Sequence, residues 1–448
     1  MPAIQSHHFD HLWQAGLNGS ASVAGDKSIS HRAVILSALA QGTSQIDHLL
    51  EGDDVLATIE AFRAMGVEII RSNPGSWRIT GSGLGALREA DQVLDMGNSG
   101  TAMRLMMGVL AGQKMRSFLT GDHSLVKRPM QRIADPLWQM GAKFYLRDEK
   151  YAPLLVDGSD HLLPIHYEMA IPSAQIKSAL LLAALNAYGT SEIVEPVMCR
   201  DHSERMIAAR GGQLDIVKNP QGEGRLIRLT GGAPLSPQDI TVPGDPSSAA
   251  FLAVAGLIVP NSKICLNNIG MNPTRTGLFE ALTRMGAKIE FSNRQDVSGE
   301  PTATLTVQTS TLNAVSLDAA IAPSMIDEYP ILSIAASFAK GTSRFEGLSE
   351  LRVKESDRLA AIVAGLEANG VVCRHGADWL EIDGCGQNGV KGGGKVATLF
   401  DHRIAMSFLI MGLAAKHPII IDDDGAIKTS FPEFTTLITR LGGKFIAG

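Results

Sequence analysis

Val23-Ala24-Gly25-Asp26-Lys27-Ser28-Ile29-Ser30-His31-Arg32 opens on a glycine turn and runs straight into a helix. Ile29, Ala33, Leu36 and Ala40 recur at helical spacing. Ser28 and Arg32 stand one turn apart on one face, and Lys27 sits at the open end. Free backbone N–H groups, a hydroxyl and two cationic side chains thus converge at one helix start. That combination suits a small, multiply charged anion such as a phosphate ester or a carboxylate. A capped helix with solvated charges accounts for the same residues taken alone. The stretch is no Walker A loop, because Asp26 separates the glycine from the lysine. Further on, Val242-Pro243-Gly244-Asp245-Pro246-Ser247 echoes it, so the chain reads as a duplicated half.

Working outward from that echo, one pattern recurs six times: a short strand, a polar loop, an amphipathic helix ending near glycine, and another strand. The copies run from Ser44 to Ile69, Ser117 to Phe144, Ser191 to Leu214, Ser262 to Ile289, Thr342 to Val372 and Pro418 to Phe445. Their starts lie roughly 70 to 80 residues apart, the size of a compact supersecondary unit rather than a solenoid repeat. A second helix, apolar nearly all round, is expected before each copy, at 28–40, 100–112, 173–187, 247–258, 324–339 and 402–415. These helices belong inside a lobe. The helices ending in Gly-Ala-Lys type turns form the outer layer, with glycine as the C-cap.

The expected fold class is α/β, in two lobes of three inside-out α/β units each, with buried helices and a substrate cleft between the lobes. One lobe spans 23–241 and the other 1–22 plus 242–448. The last copy ends before its return strand, and residues 1–22 are expected to supply it around His11-Leu12-Trp13. Gly299-Glu300-Pro301 and Gly392-Gly393-Gly394 read as hairpin loops.

Composition narrows the class. With 448 residues and 45% hydrophobic content, the chain can bury more than one core. Forty basic against 46 acidic residues give −6, which excludes the broad positive surface of a nucleic-acid binder. Cys199, Cys265, Cys373 and Cys385 lack paired spacing and are expected to be buried free thiols, although Cys373 and Cys385 could neighbour each other on adjacent strands. Met1 to Leu17 has no basic-then-apolar signal layout, and His7, His8 and His11 read as solvated. The longest apolar runs, such as Ala249–Val259, are about half a membrane span. A soluble, cytoplasmic protein is expected.

The chemistry-bearing residues fall at equivalent places in different units. Asn98-Ser99-Gly100-Thr101-Ala102-Met103-Arg104 opens the second buried helix with small residues that let a ligand approach the backbone. Lys127-Arg128-Pro129 starts a helix, Ser173-Ala174-Gln175 opens the third buried helix, and Arg200-Asp201-His202 lies in the matching loop. Asp327-Glu328 is an acidic pair inside an apolar stretch, which costs desolvation unless paired. Lys354 and Arg358 stand at i,i+4, and Asp401-His402-Arg403 opens the last buried helix. Each has a bland reading as a cap or a solvated turn. Pooled, Lys27, Arg32, Arg104, Arg128, Arg200, Lys354, Arg358 and Arg403 point to one anion-binding cleft.

On Gly25-Asp26-Lys27-Ser28 with Arg32, Gly97 through Arg104, Lys127-Arg128-Pro129, Ser173-Ala174-Gln175, Arg352 through Arg358 and Asp401-His402-Arg403, the chain resembles the 5-enolpyruvylshikimate-3-phosphate synthases over nearly its whole length. The resemblance implies transfer of the enolpyruvyl group of phosphoenolpyruvate to shikimate 3-phosphate. It implies that shikimate 3-phosphate is held by Lys27, Ser28, Arg32, Ser173, Ala174, Gln175, Arg200, Asp327 and Lys354. Phosphoenolpyruvate is then held by Lys27, Gly100, Arg128, Gln175, Arg358 and Arg403, in a site that glyphosate also occupies. Asp327, Glu355 and Lys27 are the implied catalytic residues. No metal, no organic cofactor, no nucleic-acid or membrane partner and a monomeric state are implied.

Leu105, where many members carry proline, and Ala174, where many carry serine, resemble a divergent bacterial branch. Lys428 stays outside the assigned set. The same-fold rival, UDP-N-acetylglucosamine enolpyruvyl transferase, usually carries a reactive cysteine before its Arg-Pro step, and Gly121 through Val126 contains none. A non-catalytic phosphate binder would have little reason to bury Asp327 and Glu355.

Overall fold

The computed structural model describes residues 4–6, 15–297 and 299–447. Two compact units emerge: one of Met1–Ala24, Pro243–Asp296 and Glu300–Gly448, the other of Gly25–Val242 with Val297–Gly299. The described strands form six four-stranded sheets of a single plan. In the sheet Leu94–Asp95, Arg116–Thr120, Tyr151–Asp157, Lys143–Arg147, the first pair is parallel and the other two are antiparallel. The parallel pair needs a crossover, and in four of the six sheets one apolar helix supplies it; in the other two the parallel partner comes from a distant part of the chain.

The apolar helices are Lys27–Leu39, Gly100–Ala111, Ala174–Ala184, Pro246–Ile258, Tyr329–Ser337 and His402–Ala414, of which Lys27–Leu39 and Pro246–Ile258 link strands of two different sheets. Every residue of Pro246–Ile258 is buried, as is all of Lys27–Leu39 beyond its first two residues. A helix apolar on all sides has no solvent face to present, so it becomes core and the sheets wrap it. The helices Gly100–Ala111 and Ala174–Ala184 touch backbone to backbone: a Cβ on Gly108 would lie 2.2 Å from the Ala179 carbonyl oxygen. The outer helices, such as Asp53–Ala64 and Gln131–Gln139, show the mixed burial of amphipathic elements. After each comes a glycine with positive φ, between 79° and 107° at Gly66, Gly141, Gly211, Gly286, Gly370 and Gly442.

Several expectations are corrected. The fifth buried helix starts at Tyr329 rather than 324, because the 3-10 helix Ala319–Ser324 contains Pro323 and breaks off first. Gly392-Gly393-Gly394 is no hairpin loop: it leads into Lys395–Val396, which runs parallel to Ile420–Ile421 and therefore needs the crossover helix instead. The return strand of the last copy is Ile4–Ser6, antiparallel to both Ile420–Ile421 and Phe445–Ala447. His11-Leu12-Trp13, with His7 and His8, lie outside the described residues. The four cysteines are free, but only Cys199 is buried, the other three being partly exposed. Cys373 faces Ile382 and Cys385 faces Lys340 in the ladder, so the two thiols are not opposite each other. Among the described residues no helix is long and apolar enough to cross a membrane.

The edge strands cross between halves of the sequence. Asn18–Ala21 precedes the first buried helix yet pairs with Lys263–Gly270. Ile240–Thr241 precedes the fourth yet pairs with Gln41–Asp47.

Candidate active site

In the unit built on Gly25–Val242, the helix starts are capped by side chains: Asp26 accepts from the Ile29 N–H at 2.9 Å and Ser99 from the Ala102 N–H at 3.1 Å. Ser173 caps Ala174–Ala184 through the Ile176 N–H. With the caps in place, Lys27 projects to the carboxylate of Asp54, itself nearly buried in the first turn of the next helix. Arg32 is 4% exposed. Its guanidinium donates to the Ser28 carbonyl at 2.9 Å and to Ser178 and Ser203 hydroxyls at 2.7 Å each. Beside them His31 is fully buried, with Nδ1 2.8 Å from Thr58 Oγ1. Burial first, then the charges of Lys27 and Arg32, hold its pKa well below the usual imidazole value.

The close approach at Gly108 brings the second and third helix starts together. Arg104 Nη1 donates to Gln175 Oε1 at 2.7 Å, and Gln175 Nε2 donates to Thr101 Oγ1 at 3.2 Å. Arg128 Nη2 donates to Asn98 Oδ1 at 2.7 Å, and Asn98 is fixed in turn by Asp122 at 2.6 Å. A Cβ on Gly100 would stand 3.2 Å from both Arg104 Nη1 and Arg128 Nη1. Arg128 does not begin a helix. It is extended, as the residue before a proline tends to be, and the helix starts at Gln131. Arg200 is half-buried on the loop between Thr190–Glu195 and His202–Ala209.

The other unit gathers the acidic residues. Arg358, 1% exposed, donates through Nη1 to Asp327 Oδ1 at 3.0 Å, through Nη2 to Glu355 at 2.5 Å and through Nε to Asp401 at 2.8 Å. Burial works against its charge, but Asp401, Glu355 and Asp327 outweigh that and raise its pKa above the usual guanidinium value. Lys354 Nζ lies 3.5 Å from the same Asp327 oxygen. Lys354 and Arg358 are not two positions on one helix face. The helix begins at Arg358 because Asp357 caps it, accepting from the Ala360 N–H, and Lys354 precedes it in non-helical backbone. Arg403 donates to the Asp327 carbonyl at 3.0 Å and lies 3.4 Å from Glu328.

The pooled cations are thus not alike. Arg32, Arg104 and Arg358 are buried, whereas the side chains of Lys27 and Lys354 are 21% and 26% exposed. Sequence reasoning missed Asp54, although the pair Asp53-Asp54 opening a helix after Gly52 was a visible sign of a charge placed at a helix start. It also missed Lys177, Glu195 and Arg275, whose partners lie on other elements.

The family model described as EPSP synthase (3-phosphoshikimate 1-carboxyvinyltransferase) matches residues 13–438. A 3-phosphoshikimate 1-carboxyvinyltransferase of Granulibacter bethesdensis is 52% identical over 423 residues, 94% of this chain and 93% of the relative. One of Methylorubrum extorquens is 52% identical over 434 residues, 96% of each chain. Among solved structures, an EPSP synthase from Acinetobacter baumannii superposes with a TM-score of 0.88 at 40% identity, covering 100% of both chains.

Proposed function

The chain belongs to the EPSP synthase family, and from that premise we propose how its own residues run the reaction. It is a 3-phosphoshikimate 1-carboxyvinyltransferase, which transfers the enolpyruvyl group of phosphoenolpyruvate to the 5-hydroxyl of shikimate 3-phosphate and releases phosphate. We assign shikimate 3-phosphate to Lys27, Ser28, Arg32, Ser173, Ala174, Gln175, Arg200, Asp327 and Lys354. Phosphoenolpyruvate goes to Lys27, Gly100, Arg128, Gln175, Arg358 and Arg403. The enzyme acts as a cytoplasmic monomer.

In the proposed sequence Asp327 takes the proton of the 5-hydroxyl as its oxygen bonds to C2 of phosphoenolpyruvate. Glu355, sharing the role with Lys27, delivers a proton to C3, which becomes a methyl group. The tetrahedral adduct then breaks its C2–O bond to phosphate. The leaving phosphate takes the proton held on Asp327, and a methyl proton returns to Glu355 as the double bond re-forms. Fixed guanidinium groups lower the cost of the negative charge that gathers on phosphate as its C2–O bond breaks, because they need no reorganisation at the moment of reaction.

One observation carries the assignment: a single buried guanidinium, Arg358, holds both Asp327 and Glu355 while Lys354 reaches Asp327. Two carboxylates tied to one cation can exchange protons with substrate without leaving an isolated buried charge. The test is phosphate release from phosphoenolpyruvate with and without shikimate 3-phosphate. Release only with both substrates is expected; release from phosphoenolpyruvate alone at the same rate overturns the reading.

A further inference from the structure

Lys177 is 0% exposed, two residues beyond Gln175 on the same helix. Its ammonium lies 2.6 Å from Glu195 Oε1, 2.8 Å from Glu204 Oε1 and 3.4 Å from the Cys199 carbonyl oxygen. Arg225 closes the group, pairing with Glu195 and, at 3.1 Å, with Glu204. Two cations and two carboxylates balance. Burial works against the Lys177 charge, yet Glu204, Cys199 and Glu195 hold its pKa above the usual lysine value.

The quartet also grips Cys199. The Cys199 N–H donates to Glu195 Oε1 at 3.0 Å and its thiol to the same oxygen at 2.8 Å, while its carbonyl accepts from Lys177. Cys199 immediately precedes Arg200. Glu204 lies next to Ser203, which holds Arg32. Three segments therefore meet at one buried charge cluster: the helix start with Gln175, the loop with Arg200, and the helix that anchors Arg32.

We propose that Lys177, Glu195, Glu204 and Arg225 are positioning residues for shikimate 3-phosphate, fixing Arg200 and Gln175 in binding geometry. The proposal rests on the assignment of those two residues to that substrate. Three buried charges and the partly buried Arg225 add little stability over apolar packing of the same volume. What they add is a directional lock, because every partner must sit at a hydrogen-bond distance and angle at once.

The test is Lys177→Met in the full-length enzyme, with shikimate 3-phosphate titrated calorimetrically and Cys199 alkylation by iodoacetamide followed by peptide mass. Wild-type Cys199 should react slowly, since it is 5% exposed and burial with Glu195 pushes its pKa up to about 12. Lys177→Met should keep a stoichiometry near one per chain, weaken the dissociation constant at least tenfold and speed Cys199 alkylation at least tenfold. A lowered stoichiometry with an unchanged dissociation constant means lost folded protein only and overturns the proposal. If Lys177→Met does not fold, Arg225→Gln at the partly open edge should weaken binding severalfold, and unchanged binding there overturns it. Arg200→Gln separates the two levels. If it binds normally, the Arg200 assignment falls and the proposal with it. If it binds poorly while Lys177→Met binds normally, only the positioning role falls.

Discussion

Asp327 Oδ1 accepts from Arg358 Nη1 at 3.0 Å, so the proposed base is held by a cation that is itself almost wholly enclosed. Asp327→Asn keeps the shape and removes the proton acceptor, while Asp401 and Glu355 still neutralise Arg358. Turnover should fall on the order of 100-fold or more. Glu355→Gln should lose a similar factor yet still bind shikimate 3-phosphate. Steady-state rates and a direct binding titration check both. Normal turnover in Glu355→Gln would move the C3 proton to Lys27.

The ion pair of Lys27 with Asp54 makes a second prediction. Asp54→Asn keeps a hydrogen-bond partner but loses the charge that aims the ammonium. The catalytic rate should drop on the order of 10-fold, the range expected when a reacting group is misplaced by a fraction of an ångström. Lys27→Met should be far worse. If Asp54→Asn turns over like wild type while Lys27→Met is dead, Asp54 serves the fold and not the aim.

Gly100 tests the shape of the proposed phosphoenolpyruvate site. Its added Cβ would crowd the ends of Arg104 and Arg128 at 3.2 Å, so both tips must give by a few tenths of an ångström. Displacing two guanidiniums in a packed site costs roughly 1–3 kcal/mol for a ligand that uses them fully. Gly100→Ala should therefore weaken inhibition by glyphosate, the longer molecule, more than it weakens phosphoenolpyruvate binding. Inhibition constants measured against varied phosphoenolpyruvate decide; equal constants in the two proteins refute the steric account.

His31 predicts a pH dependence of stability. Its folded pKa is pushed down by burial, Lys27 and Arg32, so below about pH 6.5 the unfolded chain binds a proton that the folded chain refuses. Its contribution is present above that pH and is lost as pH falls, at up to about 1.4 kcal/mol per pH unit. Denaturant unfolding from pH 7.5 to 5.5 should be steeper in pH for wild type than for His31→Asn. Parallel curves would show that His31 is protonated in the folded state as well.

The sixfold plan was legible because apolar-all-round helices and a glycine after each outer helix leave few other folds. The helix starts that carry Lys27, Gly100, Ser173 and Arg403 could be read for the same reason. Phasing was harder. Asp357 ends the non-helical run before Arg358, and the proline after Arg128 delays its helix, so neighbours in sequence did not share the expected face. The charges that hold the site were least visible. Lys177 meets Glu195 18 residues on, and Arg275 meets Ser247 28 residues back, on elements whose approach only the packed helices define.

The first described strand, Ile4–Ser6, pairs with Phe445–Ala447, the last described strand. During synthesis at about 5–20 residues per second, Ile4–Ser6 waits roughly 20 to 90 s for Phe445–Ala447. Among the described sheets this one therefore receives its last strand latest. Because Ile4–Ser6 and Phe445–Ala447 lie side by side, linking these two strands covalently and opening the chain at an exposed loop should relocate that delay without changing the folded ladder.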